Sequence, residues 1–308
     1  GEAMEEQRQS ARSARQEVEY ISERDALFRE VREAKGETSF VGYDLWEASA
    51  VVLAVFRDGE KVKSAVAGEE VELILDVTPF YAESGGQVSD RGQLTGSELN
   101  VNIEEVFKPV ENLFVHRGKV VSGVLKEYDQ VLAQVDQQRR MAICRNHSAT
   151  HLLHKALKEV LGNHVNQAGS LVEPERLRFD FTHYAAVSQQ ELKKVEDTVN
   201  RAVISNLTVE IAETSLSEAR LMGAAALFGE KYGDRVRVVK MGDFSLELCG
   251  GTHLRSTAEV GLFKLTGESS VGAGLRRVEA VTGEGSLRYI EAREEQLAGV
   301  ARLLKAAP

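Results

Sequence analysis

Two short motifs about a hundred residues apart constrain this chain more than any other feature. His147-Ser-Ala-Thr-His151 sets two imidazoles at i and i+4, which share one face of a helix. Cys249-Gly-Gly-Thr-His253 sets a thiol and a third imidazole around a glycine pair, where the chain can turn and bring His253 back toward Cys249. If the four side chains meet, the fold must lay a helix against the end of a strand. A soft thiolate with imidazoles suits Zn²⁺ in tetrahedral geometry. Each pair alone is a weak signal, and packed or surface histidines are the competing reading. Yet the chain has only seven His and two Cys, and four of these nine fall in the two pairs. Ser148 stands where a zinc protease motif carries its glutamate base, which removes that reading. Four protein ligands would close the metal shell, so a purely structural ion is the main alternative to a catalytic one.

The neighbours of these residues suggest partners. Strand alternation in Phe244–Cys249 puts Glu247 on the face of Cys249, either to orient a ligand or to act as a base on water. A solvated carboxylate is the plain alternative. Asp180, in Arg178-Phe-Asp-Phe181, faces away from the two phenylalanines. His154 shares the face of His147 and His151 and is either a supporting or a simply packed residue, and Cys144 reads as a small buried hydrophobe.

The rest of the chain divides by pattern. Residues 2–35 read as one long helix with a thin apolar stripe of Val18, Ile21, Phe28 and Val31, stopped at Gly36. Between 37 and 140, short Val/Leu/Ile runs alternate with turns at Asp58-Gly59, Gly85-Gly86 and Asn112, which predicts a small antiparallel β-barrel or sandwich. Residues 139–161 read as a helix. Strands follow at 177–181, 209–214, 236–241, 245–249, 261–265 and 275–281, with a helix from the Ser188/Glu191 capping box to about 206, a short helix over 217–226 and a last one over 284–305. The fold class is therefore α+β, with expected divisions of 1–36 as a helical connector, 37–138 as the barrel, 139–283 as the zinc-containing domain and 284–308 as a C-terminal helix.

Charge and composition narrow the function classes. The net charge of −10 is uneven: −2 over 1–36, −8 over 37–140 and zero over 141–308. A broadly adhesive nucleic-acid binder needs a basic excess and is excluded, while a local basic patch on the second half is not. The most apolar run, Ala48–Phe56, is far shorter than the ~20 residues of a membrane helix, so no membrane partner is expected. Two cysteines exclude a disulfide scaffold, and with no secretory pattern at residue 1 the expected compartment is cytoplasmic.

With these residues in view, Arg145-Asn-His-Ser-Ala-Thr-His-Leu-Leu-His154 followed by Glu247-Leu-Cys-Gly-Gly-Thr-His253 resembles the editing domain of the alanyl-tRNA synthetase family. Leu227–Tyr232, Met241–Phe244 and Arg276–Gly283 match that family in order. Thr78–Gln87 and Asp90-Arg-Gly92 resemble its β-barrel domain. The resemblance covers nearly the whole chain and is bacterial in style. It implies an internal fragment, with the aminoacylation domain before residue 1 and the C-terminal domain after residue 308, and hence no aminoacylation by this chain. It implies hydrolysis of the ester in Ser-tRNA(Ala) and Gly-tRNA(Ala), because one missing methylene gives an active site only ~1–3 kcal/mol of discrimination.

Residue by residue, the resemblance makes His147, His151, Cys249 and His253 zinc ligands. Gln167 becomes a pocket residue holding the serine hydroxyl or water, or else a loop amide. Glu247 takes the place of an acidic pocket residue of the related threonyl enzyme. Gln167 and Glu247 are the catalytic candidates. Thr150, Asp180, Lys231, Arg276 and Arg277 are the candidate contacts to substrate or tRNA, especially the aminoacylated 3′ end of tRNA(Ala). Alternation aims Arg276 and Arg277 to opposite faces, so only one of them is expected to meet phosphate. Gly85-Gly86-Gln87 reads as a turn rather than a phosphate loop. The alternatives are a free-standing deacylase of the same superfamily and a zinc-stabilised tRNA-binding module without catalysis.

Overall fold

The computed structural model describes residues 24–225 and 233–305. Contacts divide the chain into two compact units, one of residues 1–83 with 89–137 and one of residues 84–88 with 138–308. The short segment 84–88, which lies inside the stretch expected to form the barrel, thus packs with the second unit.

In the first unit, helix α1 (residues 24–35) precedes an antiparallel barrel. The barrel runs through strands Gln130–Val135, Gly92–Thr95, Asn100–Val110, Leu113–Ser122, Glu70–Leu75 and Glu47–Arg57. It closes because Glu47–Arg57 pairs back with Gln130–Val135, leaving no free edge among the six. The predicted Val/Leu/Ile runs form five of these six strands, and Gly92–Thr95 is the sixth, which its short, polar sequence concealed. Alternation sends Val52, Leu73, Leu75, Leu94, Val101, Ile103 and Val120 into the barrel. Phe28 and Val31 of α1 bury against Phe56, Ile74, Leu113 and Val115 on its outside, and the Phe28 and Phe56 rings meet edge-on at 5.2 Å. A buried side chain of this size contributes about 1.5–3 kcal/mol, so this part of the helix is docked rather than a bare connector. Val18 and Ile21, and the rest of the expected helix over 2–23, lie outside the described residues.

The second unit is built around helix α2 (Gln137–Leu161). From Asn146 to His154 every residue of α2 is buried, so the helix is enclosed rather than amphipathic. Leu152, Leu153, Ala156 and Leu157 pack on Leu177, Phe179, Phe181, Val278 and Ala280 of a four-stranded antiparallel sheet. That sheet is ordered Gln167–Val172, Leu177–Thr182, Leu275–Thr282, Phe263–Gly272. Helix α3 (Gln189–Ile204) adds Val195 and Val199 to the same core. It starts at the expected capping box, with Ser188 and Glu191 reciprocally bonded. A second sheet of Val209–Ser215, Arg235–Met241 and Ser245–Leu248 delivers the chain to Cys249. Helix α4 is Leu216–Leu221, and the rest of the helix expected to reach Ala226 ends short of that residue, which is itself outside the described ones. A one-turn 3₁₀ helix, Thr257–Val260, precedes Phe263–Gly272, and helix α5 (Glu284–Leu304) follows the last strand.

Residues 84–88 reach this unit through a turn with positive φ at Gly85 (+59°) and Gly86 (+81°), as expected of a turn rather than a phosphate loop. Gly86 is obligatory for a second reason: a Cβ there would lie 2.5 Å from the Ser170 carbonyl oxygen. Without it, the main chain of 86–88 bonds with Val172 on both sides (2.7 and 3.1 Å). No helix among the described residues is long and apolar enough to cross a membrane.

Candidate metal centre

Helix spacing and one tight loop bring the two motifs together. His147, His151, Cys249 and His253 offer ligand atoms that all lie within 4.8 Å of one another, a group that can hold a metal ion. Cys249 Sγ is 3.4 Å from His147 Nε2 and 3.3 Å from His253 Nε2. The sequence reading credits Gly250-Gly251 with turning the chain, but Gly251 is needed for room. A Cβ there would sit 2.0 Å from His147 Cε1 and 2.8 Å from Gln87 Oε1.

Each imidazole faces a partner through Nδ1. His147 Nδ1 meets Gln87 Oε1 at 2.7 Å. His253 Nδ1 meets Ser148 Oγ at 3.2 Å, and the same hydroxyl accepts the Leu254 amide. His151 Nδ1 faces Glu247 Oε2 at 3.4 Å without a formed hydrogen bond. The Nε2 atoms of His147 and His253 are thereby left toward the thiol. Such outer partners fix the tautomer and ring orientation of a ligating histidine.

The surroundings favour neutral rings and an ionised acid. Burial first, then neighbouring imidazoles and the Arg237 guanidinium, hold His147 and His253 well below the ordinary imidazole range. His151 is lowered by burial too, although Glu247 pulls it back upward. Burial works to raise Glu247, but His151 and His154 outweigh it and the carboxyl sits below its ordinary value. Glu247 Oε1 accepts from His154 Nδ1 at 2.8 Å, so His154 belongs to this cluster, while its own Nε2 is buried without a partner. Arg237 donates to the carbonyls of Cys249 (3.0 Å) and Gly251 (2.7 Å) and pins the loop. Cys144 is buried in the core as expected, and its Sγ also bonds Thr252 Oγ1 at 3.3 Å.

The other candidates lie elsewhere. Gln167 opens its strand half-buried, paired through the backbone with Phe181, and its amide makes no hydrogen bond among the described residues. The Thr150 hydroxyl is buried and donates to the Asn146 carbonyl of its own helix. Asp180 receives two bonds from Arg277 (2.7 and 2.8 Å), while Arg276 Nε bonds Glu268 at 2.6 Å. Both arginines therefore hold carboxylates, each its own. Lys231, with the matching stretch Leu227–Tyr232, lies outside the described residues. The cavity of about 650 Å³ near Trp46, Arg91 and Gln134 belongs to the first unit and contains none of the candidates.

Sequence reasoning missed Gln87, Ser148, Thr252 and Arg237. Arg237 was discoverable from register, since it lies opposite Cys249 in the strand pair that continues Val238↔Leu248. Gln87 had no local signal beyond the two glycines before it.

Residues 1–139 match the family described as tRNA synthetases class II (A), and residues 236–279 match the Threonyl and Alanyl tRNA synthetase second additional domain. The second match spans Arg237, Glu247, Cys249 and His253, so the chain carries a class II synthetase segment together with that additional domain. Alanine–tRNA ligases supply the relatives. The protein of Pelotomaculum thermopropionicum is 76% identical over the whole chain and 35% of its own length. Those of Desulforamulus reducens and Carboxydothermus hydrogenoformans are 67% and 54% identical, over 98% and 96% of this chain and 34% of theirs. The chain belongs to the alanine–tRNA ligase family and spans about a third of the length of the curated relatives it matches.

Proposed function

We propose that the second unit is an editing hydrolase that cleaves the ester of mischarged Ser-tRNA(Ala) and Gly-tRNA(Ala) with the aid of zinc. The observation that carries this reading is the His147/His151/Cys249/His253 cluster, its helix histidines buried, Cys249 and His253 half-buried and all three rings facing a partner through Nδ1, in a chain of this family. The donor set fits zinc. A tetrahedral shell with Zn–S and Zn–N distances of about 2.3 and 2.0 Å has S···N edges of about 3.5 Å. The observed 3.3 and 3.4 Å lie close to that, and the widest pair would draw in on binding. On this reading residues 139–283 form the editing domain, 37–138 the barrel, 1–36 a connector and 284–308 a helix leading onward. The tRNA and the remaining domains of the ligase are the partners, and the compartment is the cytoplasm.

Zinc held by these residues would supply a Lewis acid for an ester carbonyl or a water. The chain's own contribution is the Glu247–His154 pair. Glu247, kept ionised by its two imidazoles, holds the Nδ1 proton of His154. That leaves His154 Nε2 as a buried acceptor able to take a proton from an attacking water. Gln167, half-buried and unbonded, remains the candidate for the serine hydroxyl. A closed four-ligand shell favours a second reading, in which the metal builds the pocket and the unit binds tRNA without turnover.

The test is release of labelled serine from Ser-tRNA(Ala), beside Ala-tRNA(Ala), with the zinc-loaded chain in excess. Rapid serine loss with alanine retained is expected, and chelation should abolish it. A folded, zinc-bound chain that binds the tRNA yet releases no serine would replace the first reading with the second.

A further inference from the structure

We propose that Gln87 is a positioning residue of the metal centre: its side-chain amide selects the tautomer of His147 and ties that ring to the Cys249–His253 loop. This rests on the metal reading above. The argument begins at a donor whose identity is certain, the backbone N–H of Thr252. It lies 2.9 Å from Gln87 Oε1. A side-chain amide flipped the other way would set an NH₂ group against that N–H, donor to donor, so Oε1 must face it. The same oxygen is 2.7 Å from His147 Nδ1. An acceptor there requires Nδ1 to carry the proton, which leaves Nε2, the atom 3.4 Å from Cys249 Sγ, with its lone pair bare. The amide nitrogen completes the clamp by donating to Thr252 Oγ1 at 2.9 Å.

Three further observations support the assignment. Gln87 is fully buried, so an amide in this place must be paired. A Cβ at Gly86 would collide with the strand that seats the 84–88 turn, and one at Gly251 with Gln87 and His147 themselves. And Gln87 is the point at which a segment distant in sequence, 60 residues before His147 and 165 before Thr252, enters the cluster. Its one oxygen thus bonds both the helix motif and the loop motif.

The experiment compares the full chain with Gln87→Met and Gln87→Glu by zinc competition titration, with circular dichroism to establish folding. Methionine keeps the volume but offers no acceptor, and it should weaken zinc binding by about 10–100-fold. Glutamate keeps an acceptor for both His147 Nδ1–H and the Thr252 amide, and it should hold affinity within about threefold. Long-range nitrogen NMR of the ¹⁵N-histidine, zinc-loaded parent should show His147 protonated at Nδ1 and metal-bound at Nε2. This readout decides the proposal even if the methionine variant fails to fold. Coordination through Nδ1, or unchanged zinc affinity in Gln87→Met, would overturn it while leaving the metal reading standing. A parent chain that binds no zinc would overturn both.

Discussion

At the residue scale, buried histidines show how one side chain is put to different uses by what meets its second nitrogen. His116, inside the barrel, donates Nδ1–H to the Leu73 carbonyl and has Thr78 Oγ1 2.7 Å from Nε2. Burial lowers it from 6.5 to about 4, with the Leu73 bond opposing. The sign follows directly. Between those values the unfolded chain binds a proton that the folded barrel excludes, so stability is complete above pH 6.5 and is lost as pH falls toward 4. The whole step is worth roughly 3 kcal/mol. The chain's single tryptophan, Trp46, is in the same unit and reports it. Urea unfolding followed by Trp46 fluorescence should lose stability over this window, and His116→Gln should flatten the slope. An unchanged slope in the variant would exclude His116 as its source. Gly251 makes the opposite point, since it acts by having no side chain. Gly251→Ala must displace His147 or the loop, and we expect a loss of about 1–3 kcal/mol together with weakened zinc binding. Retained zinc affinity by competition titration would count against the close approach.

At the element scale, local signals are read well where they are self-contained. The Ser188/Glu191 box and the two-residue turn at Asp58-Gly59 each satisfy themselves within a few residues, and each stands where the sequence places it. Strand Gln167–Val172 escaped because its identity comes from pairing with Leu177–Thr182 and with residues 86–88, not from its own pattern. Helices α3 and α2 together show the difference in energy between local and tertiary terms. Ser188→Ala removes one cap and should cost about 1 kcal/mol. Leu153→Ala, in the middle of the enclosed helix, should cost about 2–5 kcal/mol. Chemical unfolding of the two variants checks the ranking, and a cap variant as damaging as the core variant would reverse it.

At the scale of the whole molecule, the four residues that can hold a metal ion all belong to one of the two compact units. A ligand that binds only the folded state stabilises it by about 4 kcal/mol at a thousandfold excess over its dissociation constant. Zinc removal should therefore lower the circular dichroism transition of the second unit, while the Trp46 transition of the first stays in place. An equal shift in the Trp46 signal would refute that assignment. Charge belongs to this scale as well. Arg276 and Arg277 were legible as cations on a strand, but not as cations already facing Glu268 and Asp180, because those partners come from neighbouring strands.

The α+β class, the barrel strands, the helix over His147 and His151, and the four side chains that gather around one point are legible in the order of the amino acids. These follow from periodicity, turn chemistry and donor type, all local or carried by the identity of a few residues. Folding in three dimensions chooses what stands behind those four: Gln87 on His147, Ser148 on His253, Glu247 and His154 beside His151, and Arg237 on the loop carbonyls. A hydrogen bond to a buried imidazole is a long-range pairing, and no pattern along the chain marks which glutamine will make it. Where these atoms are buried they must pair within the protein, so packing selects the partner that sequence cannot name.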